Sequence, residues 1–293
     1  MADITLPAKI SAIIRLMRWH KPIGFFLVLW PTLWALWVAS GGLPDPLLLV
    51  VFTLGAFIMR SAGCVINDFA DRNLDGHVAR TQDRPLVQGE LSSWEAMIVF
   101  GVLLLIAFIL VLQLNQFTIL LSIGAVTLAA IYPFMKRHTY LPQVFLGAAF
   151  SWSIPMSFAA VQNNVPLEAW LLFTAVLIWT VAYDTIYAMV DREDDIKIGI
   201  KSTAILFDEA DVFAILILQI LVIFLLVLFA NRIGLGWFFY SGLGLGALLF
   251  FYQQLLIQDR IAQKCFVAFL NNNWVGAVIF LGIALDYGIN ASG

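Results

Sequence analysis

Nine long apolar segments dominate this 293-residue sequence. One helix needs about 20 apolar residues to cross a bilayer, and continuous runs of this kind exclude the alternating pattern of a membrane β-barrel. With 62% hydrophobic and only 12% charged residues, the chain has too few ionisable side chains to cover a soluble surface. The sequence therefore predicts an all-α integral membrane protein, a single-domain bundle of nine transmembrane helices around a central cavity over 1–293, with cytoplasmic cap loops. The expected spans are 23–40, 46–66, 94–112, 116–134, 141–161, 165–190, 211–230, 235–256 and 274–290.

The basic residues lie almost entirely on one side of these spans. Fourteen of the 16 lysines and arginines fall in the N-terminal segment and in alternate connections, whereas the opposite connections hold only Arg232. Because basic loops stay on the cytoplasmic side, we expect a cytoplasmic N-terminus and, after nine crossings, a C-terminus on the outer side of the membrane. Residues 1–22 carry apolar side chains at helical spacing among basic ones, which predicts a retained interfacial N-terminal helix.

Composition also excludes several classes of protein. A net charge of −3 and a pI of about 5.5 do not suit a nucleic-acid partner. Two cysteines do not make a disulfide scaffold. Nothing in the sequence indicates an obligate protein partner, so the lipid bilayer is the expected surroundings.

The acidic residues are concentrated rather than spread over the loops. Of 19 carboxylates, 13 lie in 67–93 and 184–211, and long cytoplasmic loops at 67–93 and 191–210 are expected to be functional. Asn67, Asp71 and Asp75 are spaced by four and four, which on a helix covers about 80° of one face. The second set consists of Asp184, Asp191 and Asp195, with Tyr187 beside it. Its members are spaced by seven and four, which on a helix places them within about 40° of one another.

Such carboxylate clusters repel one another unless a cation neutralises them. Oxygen ligands indicate Mg²⁺, since zinc prefers His or Cys and the three histidines are scattered. Mg²⁺ usually keeps coordination positions for water and phosphate oxygens, which predicts a phosphate-bearing ligand. Basic residues on the same side would bind that phosphate: Arg72, Arg80, Arg84, Lys136, Arg137, Lys197 and Lys201.

Other charged residues have simpler interpretations. A solvated position is expected for eight further carboxylates, namely Asp68, Asp83, Glu90, Glu193, Asp194, Asp208, Glu209 and Asp211. Arg60 is different, because it lies within a span, seven residues before Asn67 and on the same helical face. An ionisable residue at such depth is a functional candidate.

These motifs resemble those of the UbiA superfamily of intramembrane aromatic prenyltransferases. NDFADRNLD at 67–75 is similar to its NDxxDxxxD motif, DREDD at 191–195 is similar to its second DxxxD motif, and Tyr132 with Lys136 resembles its YxxxK element. The stretches 132–156 and 183–207 resemble the branch that prenylates 4-hydroxybenzoate for ubiquinone biosynthesis. The resemblance covers nearly the whole chain.

The resemblance implies an Mg²⁺-dependent transfer of a polyprenyl group from an allylic diphosphate to the ring carbon ortho to the hydroxyl of 4-hydroxybenzoate. Catalytic roles are then expected for Asp71, Asp75, Asp191 and Asp195, with Asn67 and Asp184 completing the metal ligands. Asp191 is the candidate for polarising the phenol. The aromatic substrate would be bound by Arg60, through its carboxylate, and by Tyr132 and Tyr187.

Three alternatives stay open at the level of sequence. Menaquinone, haem O and chlorophyll-type members of the superfamily share the aspartate motifs but use other acceptors. An ion-coupled transporter also carries intramembrane carboxylates, although usually near the bilayer midplane. An intramembrane aspartyl protease is disfavoured because GLGLGA at 242–247 lacks the aspartate of a GxGD motif.

Overall fold

The structure, a computed structural model, describes residues 6–78 and 80–290, and its regular elements are all helical. They are α1 (Leu6–Leu16), α2 (Ile23–Ser40), α3 (Pro46–Asp71), α4 (Ser93–Val111), α5 (Gln116–Met135), α6 (Pro142–Ser151), α7 (Ser153–Gln162), α8 (Leu167–Ile198), α9 (Thr203–Phe207), α10 (Asp211–Ile233), α11 (Trp237–Ile257) and α12 (Ala262–Asn290). Short 3₁₀ helices cover Asp75–His77 and Asp208–Ala210.

The predicted number of membrane-spanning helices is confirmed. Over the described ranges, nine helical stretches are long and apolar enough to cross a membrane, with α6 and α7 forming one stretch and α9 and α10 another. The chain is therefore a multi-pass membrane protein. The predicted N-terminal helix over 1–22 falls partly outside the described residues; within them, α1 leaves Leu6 and Ile10 exposed, and Lys9 Nζ lies 2.7 Å from Glu95 Oε1.

Polar side chains before the apolar runs fix where several helices begin. Asp45 Oδ1 accepts from the amide of Leu47 at 2.7 Å at the start of α3. Ser92 and Glu95 form a reciprocal capping box on α4. Asn115 accepts from the amide of Thr118 at 2.9 Å on α5. These contacts satisfy the amides that each first turn leaves unbonded.

The packed core lies between α2, α7, α8, α10, α11 and α12. Trp34 of α2 stacks on Trp179 of α8 with ring centroids 5.4 Å apart. Glycines bring α11 and α12 together, because a Cβ on Gly242 would lie 2.6 Å from the carbonyl oxygen of Val278. Close backbone approach of this kind is what drives helix packing in a bilayer, where apolar burial gives no preference for protein over lipid.

The last span differs from the sequence prediction. It was expected over 274–290, but α12 begins twelve residues earlier, at Ala262. The polar run Asn271–Asn273 lowers the local hydropathy, so hydropathy alone does not predict the first part of this helix. Each asparagine side chain instead bonds another helix: Asn271 accepts from Gln253 at 3.0 Å, Asn272 from Trp179 at 2.9 Å and Asn273 from Trp30 at 2.9 Å.

The helices α4 and α5 are peripheral. Most of their residues face outward, and few positions of the two helices contact each other although they are consecutive in the chain. The two helices are therefore only loosely joined to each other.

Candidate active site

A cavity of about 890 Å³ opens among these helices. Its wall on α3 runs from Val51 to Asp71, a distance of about 30 Å at 1.5 Å per residue. One end is polar and the remainder is largely apolar. Both acidic motifs reach the polar end, where the cavity wall includes Asn67, Asp71, Asp75, Asp184, Asp191 and Asp195.

The first motif does not lie on one helix as its spacing suggests. The helix α3 ends at Asp71, and Asp75 lies on the following 3₁₀ turn. Asp71 is 1% exposed and pairs with Lys136 Nζ. Arg84 binds Asp75 through Nη1. Burial raises the pKa of the Asp75 carboxyl to about 6, against the opposing effect of the Arg84 guanidinium, and the charges of Asp71 and Asp68 add to the rise.

The second motif lies on a single unbroken helix. Residues 191–198, expected within a loop, continue α8 as far as Ile198. This continuation keeps Asp184, Asp191 and Asp195 within one narrow stripe. The left-handed conformation of Gly199, with φ of 73°, then ends the helix.

Arg80 joins the two motifs. Its Nε donates to Asp191 Oδ1 at 2.9 Å, and its guanidinium carbon lies 4.6 Å from the centroid of the Tyr187 ring. Since Arg80 follows the first motif and Asp191 belongs to the second, this contact links the two motifs at the polar end of the cavity.

The predicted phosphate-binding residues divide into two groups. Arg80, Arg84, Lys136 and Lys201 line the cavity, and the Lys201 amide donates to the Lys136 carbonyl at 3.0 Å. The structure does not bring the other three to the cavity wall, so their phosphate role stays a prediction. Arg72 bonds the carbonyl of Phe69 at 2.6 Å, Arg137 bonds that of Ala70, and Lys197 lies 3.2 Å from Asp194.

Arg60 lies deeper, about 10 Å along α3 from Asn67, and the cavity wall there also includes Tyr132 and Tyr187. In the part of the chain that the structure describes, no carboxylate is within ion-pair distance of its guanidinium, which lies 5.9 Å from the Phe150 ring centroid. Gly24 makes room for it, because a Cβ there would lie 2.2 Å from Arg60 Nε. The half-buried guanidinium therefore faces the cavity without an ion-pair partner among the described residues.

Two carboxylates expected to be solvated are buried instead. Asp68 is 2% exposed and its Oδ1 accepts from Arg18 Nη2 at 2.6 Å. Asp211 is fully buried, with Arg260 Nη2 at 2.8 Å. Both partners are distant in sequence, so the sequence pattern offers no signal for either pair. Arg18 and Lys21 of the N-terminal segment also line the cavity, a role that basic residues flanking a span do not reveal.

The donor set fits a hard divalent cation. Within residues 6–78 and 80–290, no three His, Cys, Asp or Glu side chains are close enough to enclose a metal ion, and three of the carboxylates are paired with Lys136, Arg84 and Arg80. However, Asp71 Oδ1 is buried and lacks a hydrogen-bond partner among these residues. A buried carboxylate oxygen without a partner, beside further oxygen donors, suits Mg²⁺.

A family model described as the UbiA prenyltransferase family matches residues 28–279. The chain belongs to the UbiA prenyltransferase family. A curated relative from Enterobacter sp. (strain 638), named 4-hydroxybenzoate octaprenyltransferase, is 60% identical over 279 residues, covering 95% of this chain and 96% of the relative. Membership in the UbiA family sets aside the transporter and protease alternatives.

Solved structures of UbiA homologues share the fold. The apo structure of a homologue from Aeropyrum pernix K1 has a TM-score of 0.80 at 25% identity, covering 89% of this chain and 97% of that one. A homologue from Archaeoglobus fulgidus bound to GPP and Mg²⁺ has a TM-score of 0.68 at 20% identity, covering 92% and 99%. The nine-span UbiA architecture predicted from the sequence is thus confirmed.

Proposed function

We propose that this protein transfers a polyprenyl group from an allylic polyprenyl diphosphate to 4-hydroxybenzoate, giving 3-polyprenyl-4-hydroxybenzoate for ubiquinone biosynthesis. The observation that carries the proposal is the convergence of both acidic motifs on one end of a cavity that also contains Arg60. High identity to a 4-hydroxybenzoate octaprenyltransferase over nearly the whole chain supports the choice of acceptor.

The polar end of the cavity would bind the diphosphate with Mg²⁺. The metal ligands would come from Asn67, Asp71, Asp75, Asp184, Asp191 and Asp195. When bound, Mg²⁺ supplies Lewis-acid neutralisation of the departing diphosphate. Arg80, Arg84, Lys136 and Lys201 stabilise the same charge from the protein side, since their donors are already oriented when the C–O bond ionises. Transfer to the aromatic ring then forms the new C–C bond.

The apolar part of the cavity would hold the prenyl tail. It continues along α3, α4 and α5 to Leu114 and Ser122, near the far ends of α4 and α5. Because α4 and α5 are loosely joined, the tail can continue between them into the lipid. The wall here presents small side chains such as Ala107, Ala125 and Ala129, which leave width for a branched isoprenoid.

The aromatic acid would bind below the diphosphate. Arg60 would pair with its carboxylate, which gives the half-buried guanidinium an ion-pair partner. Tyr132 and Tyr187 flank the ring. We assign Asp191 to polarising the phenol, which directs attack to the ortho carbon, and a carboxylate or diphosphate oxygen accepts the ring proton. Burial keeps water from capturing the allylic cation.

We further propose that the polar end faces the cytoplasm in a bacterial inner membrane. The positive-inside rule supports this orientation, because the basic N-terminal segment and the basic loops meet at that end. The N-terminus would be cytoplasmic and the C-terminus periplasmic. The water-soluble acid then reaches the site from the cytoplasm, whereas the polyprenyl diphosphate arrives through the membrane.

One experiment tests the central proposal. Purified protein in lipid vesicles is supplied with 4-hydroxybenzoate, an allylic polyprenyl diphosphate and Mg²⁺, and the products are separated by chromatography and identified by mass spectrometry. We expect a prenylated acid whose formation stops on addition of a chelator and resumes when Mg²⁺ is restored. Product formed only with another aromatic acceptor would contradict the assigned substrate, and full activity in chelator would contradict the metal requirement.

A further inference from the structure

The connector between α1 and α2, residues 17–22, forms part of the cavity wall. Both Arg18 and Lys21 line the cavity. The connector is attached to α3, because Trp19 Nε1 donates to Ser61 Oγ at 3.2 Å and the indole packs against Phe57 with ring centroids 5.3 Å apart. Its position beside the acidic motifs is therefore built into the fold.

Asp68 attaches the same connector to the site. Its Oδ1 accepts from Arg18 Nη2 at 2.6 Å and lies 3.0 Å from Arg84 Nη1. Arg18 adopts a left-handed backbone conformation, with φ of 56°, which is unfavourable for a residue with a Cβ and persists where tertiary contacts hold it. One buried carboxylate thus holds two guanidinium groups from distant parts of the chain beside the cavity.

Lys21 is the cation of this group that has no compensating charge. Arg18 pairs with Asp68, Arg80 with Asp191 and Arg84 with Asp75. Across the described ranges, Lys21 has no carboxylate within 4.0 Å. Burial lowers the pKa of its ammonium group, and the positive charges of Arg18, Arg80 and Arg84 lower it further. Converging cations of this kind repel one another unless an anion lies between them.

We propose that Lys21 contacts the diphosphate of the prenyl substrate, making the α1–α2 connector part of the diphosphate site, with Asp68 as a positioning residue for Arg18 and Arg84. The inference rests on the proposed function, which supplies the anion. A compact ammonium on a flexible stem suits a terminal phosphate oxygen at the open mouth of a cavity. The acidic motifs would hold the diphosphate from the helix ends, and Lys21 would hold it from the connector.

A lipid phosphate headgroup offers the same chemistry to a lysine near the membrane surface. The two sources differ in what competes for the ammonium. If Lys21 contacts the substrate diphosphate, inorganic diphosphate with Mg²⁺ should compete for the same contact, and the lipid composition should have little effect. A headgroup contact depends on the anionic fraction of the bilayer.

The experiment compares Lys21→Gln with Lys9→Gln in vesicles of phosphatidylcholine alone and with added phosphatidylglycerol. Lys9 is a matched control, because it lies in the same basic N-terminal region and does not line the cavity. We expect Lys21→Gln to raise both the KM for the polyprenyl diphosphate and the inhibition constant of inorganic diphosphate by about threefold to tenfold. This is the effect expected for the loss of one exposed charge-assisted contact. The KM for 4-hydroxybenzoate should stay unchanged, and Lys21→Arg should restore most of the affinity.

Equal diphosphate constants for Lys21→Gln and Lys9→Gln would overturn the inference. So would a difference that appears only in vesicles containing phosphatidylglycerol, since that result assigns Lys21 to a headgroup. If the wild-type protein binds inorganic diphosphate but makes no prenylated acid, that result would instead count against the proposed function. The comparison of diphosphate binding by Lys21→Gln and Lys9→Gln would still test the role of Lys21.

Discussion

Arg80 and Asp191, separated by 111 positions in the sequence, are joined by a hydrogen bond of 2.9 Å from Nε to Oδ1. The contact links the segment after α3 to the stripe of carboxylates on α8. If Asp191 binds Mg²⁺ as proposed, the cation and Arg80 would compete for the same carboxylate, and the guanidinium would have to leave it. Its new partner would be the diphosphate that arrives with the cation.

Removing the charge of Asp191 should abolish turnover. Asp191→Asn keeps the size of the side chain but loses a metal ligand and the partner of Arg80, so we expect at least about a hundredfold lower kcat, comparable to loss of one electrostatic stabilising group at a reaction centre. Asp83→Asn, an exposed residue away from the cavity wall, is the matched control. Prenylation by Asp191→Asn at the control rate would remove Asp191 from the site.

Crowding Arg60 should impair binding of the aromatic acid without removing a charge. A Cβ in Gly24→Ala would lie 2.2 Å from Arg60 Nε and displace the guanidinium. We expect Gly24→Ala to raise the KM for 4-hydroxybenzoate severalfold and Arg60→Ala to raise it further, with the KM for the diphosphate unchanged. Gly101→Ala introduces the same methyl group where no atom lies within 4 Å, and its kinetics should match wild type. Unaltered KM in both test variants would refute the assigned role.

Binding of Mg²⁺ should weaken in acid. Burial raises the pKa of Asp75 to about 6, so below that pH a proton occupies a carboxylate that the cation needs. The apparent affinity for Mg²⁺ should be constant well above pH 6 and fall by about tenfold per pH unit well below it, as expected for competition with one proton. Calorimetric titration with Mg²⁺ and inorganic diphosphate on both sides of pH 6 measures this, and an affinity independent of pH there would argue against Asp75 as a ligand.

The buried carboxylate of Asp211 should matter for stability rather than for chemistry. It accepts from Arg260 Nε at 2.9 Å and from Arg192 Nη1 at 3.4 Å. Asp211→Asn leaves Arg260 without its counter-charge, whereas Arg192 keeps its ion pair with Asp208. We expect a loss on the order of 2 kcal/mol in the free energy of unfolding, less than for a fully buried pair because both arginines are partly exposed. This loss of stability should appear as a lower Tm of the detergent-solubilised variant. Asp259→Asn, whose pair with Lys264 is exposed, should leave Tm within error, and equal Tm for both variants would contradict the prediction.

The spans and the second acidic motif were predictable because both follow from local periodicity. Apolar runs of sufficient length define a span, and spacings of seven and four place the carboxylates of α8 on one face of that helix. The same argument was wrong for the first motif, because α3 ends at Asp71 and the last aspartate of the motif lies on the following 3₁₀ turn. The boundaries failed where tertiary contacts override local hydropathy, as at Asn271–Asn273, whose polar groups are satisfied by other helices.

The partners of charged residues were not predictable from the sequence. In the sequence, Asp68 cannot be distinguished from a solvated loop carboxylate. In the fold, its Oδ1 lies 2.6 Å from Nη2 of Arg18, which is 50 residues away in the sequence. Likewise, nothing in the local sequence separates Arg84, which reaches the cavity, from Arg72, which bonds its own helix. Charge pattern indicates which side of the membrane a residue occupies, whereas its contacts depend on how the helices pack.

The sparse packing between α4 and α5 has a consequence for how such a catalyst operates. If the prenylated product leaves between α4 and α5 as proposed, it enters the bilayer directly and diffuses within the plane of the membrane. At high flux, the rate of product release should then depend on the number of protein molecules per unit of membrane area. Diluting the vesicles in buffer would leave that rate unchanged, whereas preparing vesicles with more lipid per protein would increase it.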